Sequence, residues 1–412
     1  MYQNRRKEGM VMRVRNYQVS HWNYVIALCF LTIFASTSVL AWERDKEFFF
    51  HRGRPLKVMT QNLYVGADLF RILVPAVECP PIEQLQVPCR VAEIYATVQQ
   101  TNFEARAEAI ADMVAEALPD LIGLQEVYRI HYNPPGDSDI GRKPNEDDEV
   151  QDYLKILRKA INSRGLHYKP VVRLKNADLT LPMFEGFDAM GPILSTVRVT
   201  DRDVILVRDG VAVSNRTKKH FQTNMIVPIG EMEVEFLRGY CAVDARVTDR
   251  TYRFVNAHLE VANPAAEETW KIQRAQAEEL ALELAGETRP TILVGDFNSG
   301  PEFRLFAPAY DVLLEAGFRD SWHLRRQPYD PGYTCCQDEY LENEFSYLDH
   351  RIDLILIRND LGFLPFSIIG GVSAWVMGND PEDRTLGEPH LWPSDHAGVA
   401  AKLRIPRMGF RH

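Results

Sequence analysis

From residue 54 onward the chain alternates short apolar runs with longer segments of helical spacing. LKVMTQNLY (56–64), DLIGLQEV (120–127), YRFVNAHLE (252–260), TILV (291–294), RIDLILIR (351–358) and HAGVAAKLRI (396–405) read as strands, rich in β-branched and apolar residues. Further strand-like runs lie at 169–174, 203–207, 210–214, 232–237 and 240–247. FEARAEAIADMVAEAL (103–118) places Ile110, Met113, Val114 and Ala117 on one helical face. DYLKILRKAINSRG (152–165) and AAEETWKIQRAQAEELALELAG (265–286) are helices closed by Gly165 and Gly286. The polar segment 131–152 reads as a surface loop, and loops are also expected near 75–100, 325–347 and 371–394. There is no Gly/Ser/Pro-rich linker and no internal repeat, so residues 54–406 are expected to form one domain. The order of βα pairs mixed with hairpin-like runs predicts an α/β sandwich of two packed sheets with helices outside.

The strands share a second pattern: they are apolar until a polar residue ends or interrupts them. Asn62 ends the first, Glu126 follows LIGLQ, and Asn256 and His258 lie in NAHL. Asp296 and Asn298 end the GDFN strand, Asp353 sits in DHRIDLIL, and Asp395 and His396 precede the last strand. Each has an ordinary reading alone, as a cap, a turn residue, a surface carboxylate or a satisfied core histidine. Six such runs, none ending in Lys, point instead to convergence on one pocket. A carboxylate cluster costs several kcal/mol unless protons or a cation compensate it. The oxygen-rich set Glu126, Asp296 and Asp395, with carboxamides Asn62 and Asn298, suits a hard cation such as Mg²⁺ or Mn²⁺. His258 and His396 add groups that titrate near neutrality.

Composition changes the picture mainly at the N-terminus. Of 412 residues, 46% are hydrophobic and 25% charged, a globular balance. The first 41 residues hold five Lys/Arg and one Glu; net charge is −10 for the whole chain, so the remainder sits at −14. That excludes a general electrostatic pull toward nucleic acid or anionic lipid. The basic start is followed by an apolar run ending Val39-Leu40-Ala41, a leader suited to cleavage and export, secreted or periplasmic. The uncharged stretch 22–42 would span about 31 Å as a helix, so membrane anchoring is the alternative. Cys79 and Cys89 bracket a Pro-containing loop that a disulfide could close in an oxidising compartment. Cys335 and Cys336 are adjacent, and Cys241 reads as a small buried hydrophobe.

QN (61–62), LQE (124–126), NAHL (256–259), GDFNS (295–299), RIDLIL (351–356) and SDH (394–396) together resemble the endonuclease/exonuclease/phosphatase superfamily, of DNase I-like fold. The motifs fall in that family's order across residues 60–396. NLYVGADL and TCCQ…LDHRIDLIL resemble exported bacterial members. The resemblance implies a four-layer α/β (α+β) sandwich of two mixed sheets flanked by helices. It also implies a Mg²⁺-dependent phosphoric ester hydrolase (Mn²⁺ as possible substitute), attacking its substrate in line with water. By motif, Glu126, Asn62 and Asp395 would hold the metal, and Asp296 would orient or deprotonate the water. Asn298 would hold the phosphoryl oxygen or the aspartate. His396, fixed by Asp353, and His258 would contact the phosphate or the leaving oxygen. Arg238 in LRGY and Asn176 in LKNADL are the candidates for substrate contact. The expected substrate is a phosphodiester, in a nucleic acid or a phospholipid, acted on by a monomer with no stable protein partner. A phosphomonoesterase and a non-catalytic binding protein on the same scaffold are the alternatives; the latter would show eroded site positions, and none is eroded. Val294 stands where inositide phosphatases of this family carry Trp, which disfavours that branch. For a lipid substrate, Phe363–Phe366 and Ala374–Met377 are candidate apolar loops, though both are better read as core.

Overall fold

The computed structural model describes residues 54–134, 149–229, 232–302, 304, 306–327, 329–359 and 371–405, with the two short segments Phe49–Phe50 and Met408–Gly409. These two segments pair antiparallel in a small unit of their own. The leader at 1–41 and the Phe363–Phe366 segment lie outside the described residues. Among the described residues, no helix is long and apolar enough to cross a membrane.

Within the unit Arg52–Pro406 two mixed sheets pack face to face. One has the strand order 319–320, 353–358, 291–296, 250–258, 239–247, 212–220. The other runs 372–377, 398–403, 56–62, 121–125, 191–208, 129–133, 149–152, with 168–188 paired along 191–208. Between them lies a buried apolar layer that includes Val58, Ile205, Phe254, Val294, Ile355 and Val399. Outside the first sheet, helices Glu267–Leu284 and Ala309–Glu315 cover Val255, Leu293 and Leu354. Outside the second, helices Gln86–Gln100, Phe103–Ala117 and Tyr153–Ser163 cover Met59, Ile122 and Leu206. Alternation along each strand makes this possible: odd and even side chains feed different layers. The result is the expected four-layer sandwich.

Three local expectations are corrected. Residues 86–100 form a helix rather than loop, because Pro88 falls in its first turn, where no intrahelical donor is lost, and Val91, Ile94 and Val98 bury one face. The ends of the presumed loop 131–152 are strands, Arg129–Asn133 against Glu149–Asp152. Val372–Met377 is a strand paired with Gly398–Leu403, which confirms its core reading against the loop one. The runs at 169–174 and 203–207 belong to strands of 21 and 18 residues that make one long hairpin. Cys79 and Cys89 are joined, with Cα atoms 5.8 Å apart; Cys335 and Cys336 are also joined, and Cys241 is free and buried.

Candidate active site

The site is the polar end of the layer between the sheets. On the first sheet the inner-face sequence runs Ile292, Val294, Asp296 and, on its neighbour, Phe254, Asn256, His258. His258 is register partner to Asp296, and Asp296 to Asp353, so three adjacent strands set these groups on one rung. On the second sheet Val58, Thr60, Asn62 follow the same progression, and Asn62 pairs with Gln125 just before Glu126. Strand Gly398–Leu403 runs antiparallel to Leu56–Asn62, which brings the preceding Asp395-His396 to the same end. Beneath the site a polar layer ties the sheets together. Gln125 donates to Oδ1 of Asn256 at 2.5 Å and is bonded to Thr60, while Asn256 donates to the Leu124 carbonyl at 3.0 Å.

Asn62 is central. Its Nδ2 donates to Glu126 and to Asp296, both at 3.1 Å, and its Oδ1 accepts from Tyr64 N–H. Glu126 also accepts from Val65 N–H at 3.3 Å. Asp296 accepts from Asn298 N–H at 2.9 Å, while the Asn298 carboxamide donates to the Leu259 carbonyl. The backbone of Asn298 thus holds the aspartate, and its side chain ties this turn to Leu259, just past the end of the neighbouring strand. Glu126 and Asn298 both have left-handed backbones, φ 55° and 47°, a conformation that costs non-glycine residues energy and is tolerated where the surroundings enforce it.

Two imidazoles flank Asp296. His258 Nε2 lies 3.5 Å and His396 Nδ1 3.9 Å from its Oδ2. His396 Nδ1 is also 2.9 Å from Asp353 Oδ2, the pair anticipated from the motifs. Burial opposes a charge on His396, but Asp353, Asp395 and Asp296 outweigh it and hold its pKa well above the ordinary value. The Asp296 carboxyl is lowered: burial works against ionisation, and His396, His258 and the Asn298 N–H overcome it. Arg238 Nη1 is 3.0 Å from the His258 ring, with Glu260 at 3.8 Å from its Nε. Asn176 is buried and donates to Asp203 at 2.9 Å and to Asp201 at 3.4 Å.

Every residue singled out in the sequence is therefore in or beside one cluster. Four others were not foreseen. Asp203 Oδ1 lies 3.8 Å from His258 Nδ1, on the side away from Asp296, where it favours the protonated ring. Asp201 joins the same wall; burial and the neighbouring Asp203 push its carboxyl up to about 7. Both sit on the inner-face progression Val207, Ile205, Asp203, Asp201, the same signal that marked Asp296, read in the opposite chain direction. Thr334 accepts from the N–H of Ile352 and of Asp353, and the Thr334 carbonyl accepts from Ala397 N–H at 2.8 Å, clamping the SDH turn. Arg106, fully buried, lies under the loops. It donates to the carbonyls of Thr101, Leu63, Pro393 and Tyr64.

The donor set fits a divalent cation. Burial pushes the Asp395 carboxyl up to about 7, reinforced by the charges of Glu126 and Asp296 and opposed by His396. Such crowding is relieved by a bound cation. Glu126, Asp395 and the carboxamide of Asn62, turned to offer its oxygen, make the kind of sparse oxygen site that Mg²⁺ completes with water and substrate oxygens. The ligand atoms of Asp296, Asp353 and His396 also lie within 4.8 Å of one another. There the imidazole nitrogen already faces Asp353, so that trio reads as a hydrogen-bonded relay.

The family model described as endonuclease/exonuclease/phosphatase matches residues 59–396, spanning every site residue named above. The chain belongs to this family. Among solved structures, this family member is similar to a mannosyl-6-phosphatase, Bt3783, of Bacteroides thetaiotaomicron, with 18% identity, 85% of this chain and 100% of that one covered, and a TM-score of 0.49. A family protein of Leptotrichia buccalis shares 14% identity over 85% and 100% of the two chains, with a TM-score of 0.47. Truncated TDP2 of Caenorhabditis elegans shares 15% over 85% and 98%, with a TM-score of 0.44. A search of curated protein sequences finds no match.

Proposed function

We propose that the chain is an exported, divalent-metal-dependent phosphodiesterase, within the phosphate-ester hydrolase activity of its family. The observation that carries this reading is Asp296, held ionised between two imidazoles at 3.5 and 3.9 Å, at the edge of a carboxylate pair able to hold a cation. Asp296 orients the attacking water and accepts its proton. The water oxygen forms the new P–O bond as the opposite P–O bond breaks, and the departing oxygen takes a proton from His258. Asp203 and Asp296 favour the charged form of that ring, opposing burial and Arg238. His396, kept as imidazolium by Asp353, and Arg238 neutralise charge building on the phosphoryl oxygens. Glu126, Asp395 and Asn62 would hold a divalent ion, which when bound would further neutralise that charge.

The charge balance favours a diester over a monoester. Glu126, Asp201, Asp203, Asp296, Asp353, Asp395 and Glu260 outnumber the cationic groups among them, Arg238, the buried Arg106 and two imidazoles. A monoanionic diester meets less repulsion there than a dianionic monoester. Export is supported by the Cys79–Cys89 bond, a linkage that persists in oxidising compartments, and by the leader-like first 41 residues. The test is hydrolysis of bis-p-nitrophenyl phosphate and p-nitrophenyl phosphate with Mg²⁺, Mn²⁺ or EDTA. Metal-dependent diester cleavage that falls about 10²- to 10⁴-fold in Asp296→Asn is expected. Undiminished activity in that variant, or cleavage of the monoester alone, refutes the assignment.

A further inference from the structure

The cavity that holds the site continues past it. A single cavity of about 420 Å³ has Glu126, Asp201, Arg238 and Asp395 in its polar wall. Asp68, Gln337 and Glu339 also border it, beside the 3₁₀ turn, and the remaining wall is mainly apolar. Helix Gln86–Gln100 contributes Ile94 and Val98, the long hairpin contributes Leu181 and Val199, and the paired strands Met225–Ile229 and Met232–Phe236 contribute Val227 and Phe236. The space is partly open to solvent, and its volume falls in the range of small-molecule sites. The chamber is held open from outside. Arg71, on the 3₁₀ turn Leu69–Leu73, pairs with Glu339 at 2.8 Å and Glu93 at 3.5 Å; Phe70 of the same turn stacks on Phe236. The Cys79–Cys89 bond fastens the following loop to the helix. Around this roof Leu73, Val74, Val77 and Ile226 are exposed to solvent.

We propose that one substituent of the phosphoester substrate is a flexible apolar chain, and that this chamber is its subsite. The proposal rests on the phosphoesterase reading above. Nothing charged is needed in the deep wall because the chain brings no charge; the phosphate stays at Glu126, Asp395 and Arg238. The substrate is then an amphiphile, and the exposed apolar rim suits entry from a micelle or bilayer.

The test is a series of n-alkyl p-nitrophenyl phosphates, from ethyl to dodecyl, each below its micellar concentration and with Mg²⁺ present. Each methylene buried should raise kcat/KM about fourfold until the chamber is filled. In Leu181→Trp the octyl-to-ethyl ratio of kcat/KM, taken within that protein, should collapse toward unity. Should that variant not fold, inhibition of bis-p-nitrophenyl phosphate hydrolysis by n-alkyl phosphonates serves the same end in the unaltered protein; inhibition constants should fall about fourfold per methylene. Hydrolysis or inhibition independent of chain length overturns the chamber assignment and leaves the phosphodiesterase reading standing. No hydrolysis of any member overturns both. Comparing the dodecyl ester in solution with the same ester in phosphatidylcholine vesicles tells the source: faster turnover of either form upholds the chamber and identifies a dispersed or a membrane-held amphiphile.

Discussion

Replacing Arg106 by Met should be among the most damaging single changes in this protein, although the residue touches no substrate. Its guanidinium is fully buried and donates four hydrogen bonds to main-chain carbonyls, at 2.8 Å to Thr101, 2.8 Å to Leu63, 3.2 Å to Pro393 and 3.1 Å to Tyr64. Two of those acceptors follow Asn62 directly and one precedes Ser394-Asp395-His396, so the side chain joins the loops that carry the cation candidates. Methionine fills much of the volume but leaves the carbonyls without a donor. A hydrogen bond from a charged group contributes about 1.5–3 kcal/mol, and a buried group stripped of its partner costs about 1–3 kcal/mol. Partial relaxation and water entry reduce the sum, and we expect a net loss of about 4 kcal/mol, against a total stability of roughly 5–15 kcal/mol for a domain. Urea unfolding followed by tryptophan fluorescence, at constant m-value, reads this directly. Arg106→Lys should recover part of the loss, since an ammonium reaches some of the same carbonyls but lacks the planar fork. A loss under about 1 kcal/mol for Arg106→Met would refute the view that these loops are held from beneath.

Two other perturbations follow from similar reasoning. Asp152 caps helix Tyr153–Ser163 and meets Arg202 at 2.7 Å, and against burial the arginine and the helix N–H groups lower its pKa. Its stabilisation is therefore full above the unfolded carboxylate pKa and disappears as pH falls through the lower folded value. Asp152→Asn keeps a competent cap but loses the charge, and should cost about 2 kcal/mol at pH 7 and progressively less below pH ~4. An equal cost at both pH values would sink this account. Breaking the Cys79–Cys89 bond by Cys79→Ser releases a short loop and should cost about 2–3 kcal/mol in the chain-entropy picture. A melting temperature indifferent to both mutation and reductant would show that the helix anchors this loop unaided.

Much of the site is legible in the sequence because sheets convert spacing into geometry. Asp296 and His258 announce themselves by ending apolar runs, and adjacent strands then place them on one rung. Asp203 carries the same signal but at the start of its apolar run, in TDRDVILV, where an acidic residue looks like solvated entry to a strand. Arg106 was hidden for a different reason. Inside FEARAEAI it reads as the charged face of an amphipathic helix, and only the loop packed over that face reveals four carbonyls waiting for it. Helix Gln86–Gln100 was masked by Pro88, whose meaning depends on whether it falls in the first turn or the third. The long hairpin 168–208 could not be measured from apolar content, since its outer half is largely only partly buried and mixed in character.

The rung that aligns His258, Asp296 and Asp353 closes the end of three hydrogen-bonded strands whose inner length is buried, while the apolar chamber is roofed by a 3₁₀ turn and a separate two-stranded hairpin. Those two kinds of structure differ in how readily they open: core ladders give up their amide protons only on global unfolding, and appended loops much sooner. Reactivity and preference are thus written in segments with separate tolerance to change. Residues 69–85 and 225–236 could be exchanged as cassettes, or lengthened, and the protein would be expected to answer by accepting a different alcohol on the same phosphate.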